Sequence, residues 1–263
     1  MPETLATLMF GIVWVRRALK AIGAIAFILA ILVSPSAHAE TAASVCDLPS
    51  QVVRLAYGLP RFAHKLSTKE PITIVAIGSS STAGVGASSI AASYPSRLEL
   101  DLRKHFPDRL ITVLNRGVNG EEVAEMLKRF NTGVVAAKPD LVLWQIGTNS
   151  IFHQQPISDN GTAIRNGLRI IRSTGSDVIL INPQFAPKVV EKPQVENVLA
   201  TISMVAKQDD VDLFHRFEIM QRWHDFDKMP FEIFVSADGL HMNDWGYDCL
   251  AKGLSLAIID AAQ

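Results

Sequence analysis

A carboxylate and an imidazole stand three residues apart near the C-terminus, at Asp238 and His241. In an Asp-x-x-His turn the carboxylate can reach one ring nitrogen, which fixes the tautomer of the imidazole and stabilises its protonated form. The other ring nitrogen is then free to take a proton from a serine hydroxyl. The spacing therefore indicates a general-base pair. An aspartate that merely begins the last helix, next to an incidental histidine, would have the same sequence.

A loop rich in glycine and serine covers residues 78–86 and contains three consecutive serines at positions 79–81. A phosphate-binding loop would require a lysine that is missing, and a dinucleotide fingerprint would require a third glycine where Ser89 stands. An α/β-hydrolase elbow would require a glycine in place of Thr82. Two interpretations are left: a serine nucleophile on a strand-to-helix turn, or serines that only cap the next helix.

Serine chemistry also requires hydrogen-bond donors for the negatively charged oxygen of the intermediate. Gly120 ends the segment 115–120 after one predicted strand, so its amide could point toward the serine loop. Asn149 follows the next predicted strand, and its side chain could donate a second bond. Each segment alone is an ordinary turn signal. The four pieces in this order, three of them at predicted strand ends, favour one shared site.

The elements that must position these residues alternate between strand and helix along the chain. Apolar runs predict strands at residues 72–77, 110–114, 141–146, 178–181 and 211–214, and helical spacing predicts helices at 94–105, 121–130, 162–172, 195–206 and 244–262. Strands separated by helices imply crossovers and a parallel sheet covered on both faces. The predicted fold class is α/β, a three-layer α/β/α sandwich with a central, mostly parallel five-stranded sheet. Ligands bind beyond the carboxyl ends of such strands, where three of the candidate segments lie.

With these residues in place, the sequence resembles the SGNH/GDSL hydrolase (esterase/lipase) family over about residues 72–262. The family's first block is a strand followed by Gly-Asp-Ser, and the corresponding Gly-Ser-Ser at 78–80 selects Ser80 among the three serines. The family's glycine corresponds to Gly120 and its asparagine to Asn149. Its Asp-x-x-His corresponds to Asp238 and His241.

The resemblance implies a flavodoxin-like fold and a serine esterase that works through an acyl-enzyme without metal or cofactor. Ser80, Asp238 and His241 would form the catalytic triad, and Ser80, Gly120 and Asn149 would form the oxyanion hole. The expected substrate is a small-molecule or glycan ester. The predicted loops contain no obvious long apolar lid, which favours small acyl (acetyl) groups, and the export predicted below favours an extracytoplasmic glycan. An acyltransferase, a lysophospholipase or thioesterase, and a non-catalytic glycan-binding module on the same fold are the alternatives.

Two positions depart from the family pattern: Ser79 replaces the aspartate before the nucleophile, and Ser150 stands where aspartate is commoner. Both change the polarity beside the site, and they bear on substrate and rate more than on reaction class. Further candidates for substrate binding are Ser79 itself, His153 after the Asn149 loop, and Phe185 in the loop after the fourth strand. The histidines and acids around residues 215–227 match no metal motif, so no metal site is expected.

The N-terminus reads as a targeting segment. Arg16, Arg17 and Lys20 precede an apolar run at 21–33, and Ala-His-Ala at 37–39 fits a signal-peptidase site. The predicted organisation is a signal peptide at 1–39, an N-terminal extension packing on the domain at 40–70, and the hydrolase domain at 71–263. The protein is expected to be exported, periplasmic or secreted, without stable membrane insertion once the leader is cleaved. An uncleaved N-terminal anchor is the alternative.

Composition excludes one class of partner and suggests one covalent link. With 25 Lys and Arg against 26 Asp and Glu, the net charge is −1, which leaves no basic footprint for nucleic acid. Cys46 and Cys249 are the only cysteines. In an oxidising compartment they would form a disulfide tying the N-terminal segment to the last helix, whereas two buried thiols are the alternative. The sequence leaves the oligomeric state open.

Overall fold

Five strands form a central sheet whose neighbours are all parallel. They are β1 (Ile72–Gly78), β2 (Ile111–Gly117), β3 (Leu141–Gln145), β4 (Asp177–Ile181) and β5 (Asp212–Phe214), in the spatial order β2-β1-β3-β4-β5. β1 and β3 are buried almost throughout because both faces are covered, which is why they read as apolar runs. The predicted α/β class and parallel sheet are confirmed. This computed structural model describes Cys46, Leu48 and residues 50–153 and 157–263, so the predicted signal peptide lies outside the described residues.

Helices connect the strands and cover the sheet. In chain order they are α1 (Ser50–Val53), α2 (Pro60–Thr68), α3 (Ser80–Ala83), α4 (Tyr94–His105), α5 (Val123–Lys128), α6 (Phe130–Gly133), α7 (Thr148–Phe152), α8 (Ile157–Ser173), α9 (Pro187–Val190), α10 (Val195–Gln208), α11 (Arg216–Gln221) and α12 (Asp244–Ala261). Short 3₁₀ turns occupy Ile90–Ala92, Val135–Ala137 and Phe231–Ile233, and a π-helical turn occupies Arg222–Phe226. None of the described helices is both long enough and apolar enough to span a membrane.

The order of the strands determines where a site can form. The chain passes from β1 to β2 in one direction across the sheet and from β2 to β3, β4 and β5 in the other. Because crossovers between parallel strands are right-handed, α4 covers one face while α5, α8 and α10 cover the other. α12 packs beside α4, and α10 beside α8. The reversal creates a crevice between the carboxyl ends of β1 and β3, the position where α/β sheets bind ligands.

Two of the predicted elements differ from the observed ones near this crevice. β2 continues three residues beyond the predicted end at 114, because residues 115–117 pair with Ala76, Ile77 and Gly78 of β1. Gly117 is required there, since a Cβ at this position would lie 2.1 Å from the Ala83 amide of α3. The close approach brings the helix after β1 directly against β2.

The predicted helix at 121–130 is instead two helices separated at Arg129. Glu121 precedes the first helix, and its carboxylate accepts a hydrogen bond from Arg129 Nε at 2.8 Å. Glu122 is the N-cap of α5, and it forms a capping box with Glu125. The two acidic residues therefore serve as loop and cap, and not as a first helical turn.

The described part of the predicted N-terminal extension contacts the amino-terminal edge of the sheet. Asp212 at the start of β5 accepts hydrogen bonds from the amides of Ala56 and Tyr57, both at 2.8 Å. Asp177 at the start of β4 accepts one from the Phe62 amide of α2, also at 2.8 Å. These contacts lie at the opposite edge from the crevice, so the extension braces the sheet without reaching the candidate site.

A disulfide joins Cys46 to Cys249 on α12, with 5.5 Å between their Cα atoms. Residues 46–263 belong to one compact unit. The bond therefore links the first described residue of this unit to its last helix, and the covalent loop it forms contains most of the unit.

Candidate active site

Ser80 is the first residue of α3, and only Ser79 separates it from the end of β1. The amides of Thr82 and Ala83 bind the Ser79 carbonyl at 3.1 and 3.0 Å, so the chain turns into the helix within one residue of the strand. The helix ends at Gly84, which adopts φ +96° and whose amide donates a hydrogen bond to the Ser80 carbonyl. The turn leaves Ser80 partly exposed at the carboxyl end of the sheet, between two buried neighbours.

A continuous hydrogen-bond chain joins Ser80 to the C-terminal pair. His241 Nε2 lies 2.8 Å from Ser80 Oγ, and His241 Nδ1 lies 2.5 Å from Asp238 Oδ2. The segment that carries the pair is a closed loop, because the Ser236 amide donates to the His241 carbonyl at 2.8 Å. The structure thus brings together three of the predicted site residues in the order serine, imidazole, carboxylate.

The Asp238 carboxyl is held in its ionised form. Partial burial raises its pKa, but hydrogen bonds from the His241 ring, the His241 and Leu240 amides and the Ser236 hydroxyl outweigh burial and hold the pKa well below its ordinary value. The amides donate to Oδ1 at 2.9 and 2.8 Å, which leaves Oδ2 to the imidazole. Asp238 can therefore fix the ring and stabilise a positive charge on it.

The two predicted oxyanion donors lie on segments that follow the carboxyl ends of β2 and β3, at the same end of the sheet as Ser80. Gly120 adopts φ +79° in the exposed turn before α5, and nothing lies within 4 Å of where its Cβ would be. Asn149 stands in the first turn of α7, and its Nδ2 donates to the Glu121 carbonyl at 2.8 Å. This bond links Asn149 to the residue next to Gly120 and leaves the second N–H of the amide for another acceptor.

Comparison with known proteins identifies the family. The sequence matches the non-GDSL lipase-like family over residues 45–263. The chain belongs to this family. Among curated proteins, no significant match to the sequence is found.

Solved structures share the fold of this non-GDSL lipase-like chain. A two-domain esterase active on acetylated mannans aligns with a TM-score of 0.69 and 17% identity, over 82% of this chain and 57% of its own length. An acetyl xylan esterase aligns at 0.61 and 17%, over 71% and 100%. A lipase/acylhydrolase from Enterococcus faecalis aligns at 0.59 and 23%, over 73% and 95%. The SGNH-type hydrolase fold expected from the sequence is therefore confirmed.

The serine that replaces the aspartate of Gly-Asp-Ser has a defined structural place. Ser79 is 2% exposed, and both its amide and its hydroxyl donate to Gln145 Oε1, at 2.9 and 3.2 Å. The Thr82 hydroxyl donates to the same oxygen at 3.2 Å. Ser79 was expected to bind substrate, but it lies beneath the nucleophile turn, bound to the end of β3. The Ser79 hydroxyl can donate to the buried Gln145 Oε1, whereas the carboxylate of an aspartate at position 79 would be repelled by this oxygen.

Ser150 and His153 both bind the helix cap of the neighbouring loop. The Ser150 hydroxyl donates to Glu122 Oε2 at 3.1 Å, and His153 Nδ1 lies 2.6 Å from Glu122 Oε1. An aspartate at position 150 would face the Glu122 carboxylate, which explains the serine in physical terms. The structure pairs the exposed ring of His153 with Glu122, and its predicted part in substrate binding stays a prediction. Together with Asn149, these side chains fasten α7 to the Gly120 loop.

Phe185 is the third predicted substrate residue, and it is 8% exposed. Its ring packs edge-on against Phe217 at 5.2 Å between centroids and stacks against Phe231 at 5.6 Å. The structure therefore assigns Phe185 to an aromatic cluster below the surface, and Phe231 takes the more exposed place in that cluster.

A cluster of three or more His, Cys, Asp or Glu that could hold a metal ion is absent from residues 50–153 and 157–263.

Proposed function

We propose that this protein is a serine esterase that hydrolyses carboxylic esters through an acyl-enzyme. The observation that carries the proposal is the chain from Ser80 through His241 to Asp238, with 2.8 and 2.5 Å between the bonded atoms. Such a chain activates a serine hydroxyl that is otherwise a weak nucleophile. Membership of a lipase-like family supports the same reaction class.

In the proposed reaction, His241 Nε2 accepts the proton of Ser80 while Oγ attacks the ester carbonyl carbon. The negative charge on the carbonyl oxygen would be held by the amides of Ser80 and Gly120 and by the second N–H of Asn149. The protonated imidazole, stabilised by Asp238, then gives its proton to the leaving alcohol oxygen as the ester bond breaks. Water repeats the attack on the acyl-enzyme, releases the acid and restores the Ser80 hydroxyl.

The proposed substrates are small acyl esters, above all O-acetyl groups on a glycan. Two of the structural neighbours are an esterase active on acetylated mannans and an acetyl xylan esterase. A groove of about 590 Å³ borders the loop that carries Asp238 and includes Phe231, Pro187 and Glu232 in its walls. We propose this aromatic ring and the neighbouring carboxylate as the surface that contacts the sugar of the substrate.

Export to the periplasm or the exterior is the proposed location. The signal-peptide pattern at residues 1–39 supports it, and so does the Cys46–Cys249 disulfide, since such bonds persist in oxidising compartments.

A fluorophosphonate probe tests the reaction class directly. We expect one adduct on the wild-type protein, located by mass spectrometry at Ser80, and none on Ser80→Ala. Ser79→Ala and Ser81→Ala serve as controls and should keep both the adduct and the hydrolysis of p-nitrophenyl acetate. Correctly folded wild-type protein without an adduct would contradict the proposal and favour a non-catalytic binding module.

A further inference from the structure

Gln184 lies in the loop after β4, is 1% exposed, and has partners on three other segments. Its Oε1 accepts a hydrogen bond from Thr148 Oγ1 at 2.8 Å and a longer one from Ser81 Oγ at 3.4 Å. Its Nε2 donates to the Leu240 carbonyl at 3.1 Å. Both ends of this buried amide are therefore satisfied, and each by a different part of the chain.

Each partner of Gln184 is the sequence neighbour of a residue proposed to act on the ester. Thr148 precedes Asn149, Leu240 precedes His241, and Ser81 follows Ser80. The three segments come from the carboxyl ends of β3 and β1 and from the C-terminal loop, so they are far apart in sequence. One side chain thus connects the oxyanion donor, the base and, more weakly, the nucleophile.

The contact with Leu240 bears on the orientation of His241. The Leu240 carbonyl and the His241 amide belong to the same planar peptide unit. Gln184 binds that carbonyl, and Asp238 Oδ1 binds that amide at 2.9 Å. The peptide unit is held from both sides, which fixes the direction in which the imidazole leaves the backbone.

We infer that Gln184 is a positioning residue that holds the Asn149 loop and the His241 loop in register around Ser80; the inference rests on the proposed esterase function. Hydrogen bonds in a buried site are stronger than in water and define geometry closely. A displacement of about 1 Å in a catalytic group can cost roughly 10²-fold in rate. Loss of the amide should therefore lower kcat more than it weakens substrate binding.

A purely structural role for a buried loop amide is the competing explanation, and Asn182 provides the matched control. Asn182 precedes Gln184 by two residues and is equally buried. Its side chain binds the Phe217 amide at 2.9 Å and Glu218 at 2.8 Å, both on α11. These partners carry none of the residues proposed for catalysis.

The first test compares Gln184→Met with Asn182→Leu, using p-nitrophenyl acetate kinetics and urea unfolding. We expect both variants to lose stability, and only Gln184→Met to lose kcat, by roughly 10- to 100-fold with KM nearly unchanged. Asn182→Leu should keep kcat within about twofold of wild type, as a site away from the chemistry should. Equal kcat losses in the two variants, or an unaffected kcat in Gln184→Met, would overturn the inference.

The second test uses Gln184→Glu, which keeps the size and shape of the side chain. In its protonated form the introduced carboxyl can donate to the Leu240 carbonyl and accept from Thr148, whereas in its ionised form it repels that carbonyl. Burial raises the pKa of a carboxyl. We therefore expect kcat/KM relative to wild type to fall at least about tenfold between pH 5.5 and pH 9.

The ratio to wild type isolates the introduced carboxyl, because the ionisable side chains Asp238, His241, Tyr247 and Arg216 are present in both proteins. A ratio that is constant with pH would overturn the positioning role. The two proposals fail in different ways. If wild type is active and the Gln184 variants have the same kcat, only the positioning role of Gln184 is overturned. If wild type shows neither probe labelling nor hydrolysis, the proposed function is overturned as well.

Discussion

His241 Nε2 lies 2.8 Å from Ser80 Oγ although 161 residues separate the two in sequence. The contact depends on two turns, one at the end of β1 and one closed by Ser236 and His241 before α12. Neither turn alone defines a reaction, because serine needs a base and histidine needs an orienting group.

Asp238→Asn should lower kcat on p-nitrophenyl acetate on the order of 10⁴-fold, because the amide can favour the wrong tautomer of His241.

The same substitution should also alter how the free energy of unfolding depends on pH. The folded pKa of Asp238 lies below its ordinary value of 3.8, so its ionised form stabilises the fold above that value and the contribution is lost as pH falls through the folded pKa. Urea unfolding from pH 7 to pH 2.5 should show the advantage of wild type over Asp238→Asn shrinking below about pH 4. An advantage that is independent of pH would contradict this account.

Asn149→Ala should lower kcat by roughly 10²–10³-fold with little change in KM, since the second N–H is proposed to act on the charge of the intermediate. Ser150→Ala on the same helix is the matched control. It removes a bond to Glu122 but no proposed oxyanion donor, and it should keep kcat within about tenfold of wild type. Similar kcat losses in both variants would mean that Asn149 acts only by fastening α7.

Ser79→Asp should destabilise the protein instead of improving it, although it restores the commoner Gly-Asp-Ser. The new carboxylate would be buried against Gln145 Oε1, which would lose the bond from the Ser79 hydroxyl and keep those from the residue 79 amide and the Thr82 hydroxyl. An uncompensated buried charge costs about 3–5 kcal/mol. Ser79→Ala is the control and should cost about 1 kcal/mol, for one lost hydrogen bond. Equal free energies of unfolding for the two variants would refute the explanation of Ser79.

Loss of the Cys46–Cys249 bond should destabilise the protein without changing its kinetics. The bond spans 203 residues of sequence, and the chain-entropy estimate for such a loop is about 5 kcal/mol. Cys46→Ser/Cys249→Ser should therefore unfold at much lower urea concentration than wild type, with kcat on p-nitrophenyl acetate unchanged at low temperature. Wild type treated with dithiothreitol should match the double variant, and stability unaffected by either change would contradict the expectation.

The fold and the Asp238–His241 pair were predictable because they rest on local patterns, whereas only the resemblance to a family selected Ser80 among three consecutive serines. β-branched runs indicated β1 and β3 within one residue of their observed ends, and the Asp-x-x-His spacing was sufficient to place Asp238 beside His241. The end of β2 was missed because residues 115–117 are polar or glycine and pair only through their backbone. The predicted start of α8 lies five residues too late. Asn160-Gly161 is a typical turn pair, but it lies within the helix.

The supporting residues were not predictable, because their partners lie far away in sequence. Gln145 and Gln184 look like ordinary polar residues, and only the folded chain shows Gln145 under Ser79 and Gln184 beside Leu240. Glu121 and Glu122 match a helical first turn, but tertiary contacts with Arg129 and α7 take precedence over that tendency. A single sequence carries no periodic signal for such contacts.

The groove beside the Asp238 loop supports a prediction about substrate choice. The Phe231 ring is in its wall and stacks on His224 at 4.1 Å between centroids. Removing an aromatic contact of about 0.5–1.5 kcal/mol should raise KM roughly 2- to 10-fold. We therefore expect Phe231→Ala to raise KM for acetylated mannan or xylan oligosaccharides and to leave p-nitrophenyl acetate, which has no sugar, unchanged.

Phe226→Ala is the matched control for the groove, because Phe226 is 70% exposed and outside the lining residues. It should leave KM unchanged for both kinds of substrate. Glu232→Gln tests the polar wall in the same assay and should raise KM only for the oligosaccharide. If Phe231→Ala affects the two substrates equally, the ring acts through the fold of the Asp238 loop and not through the sugar. A rise in KM for the oligosaccharide alone instead places the sugar in this groove, beside the loop that carries Asp238.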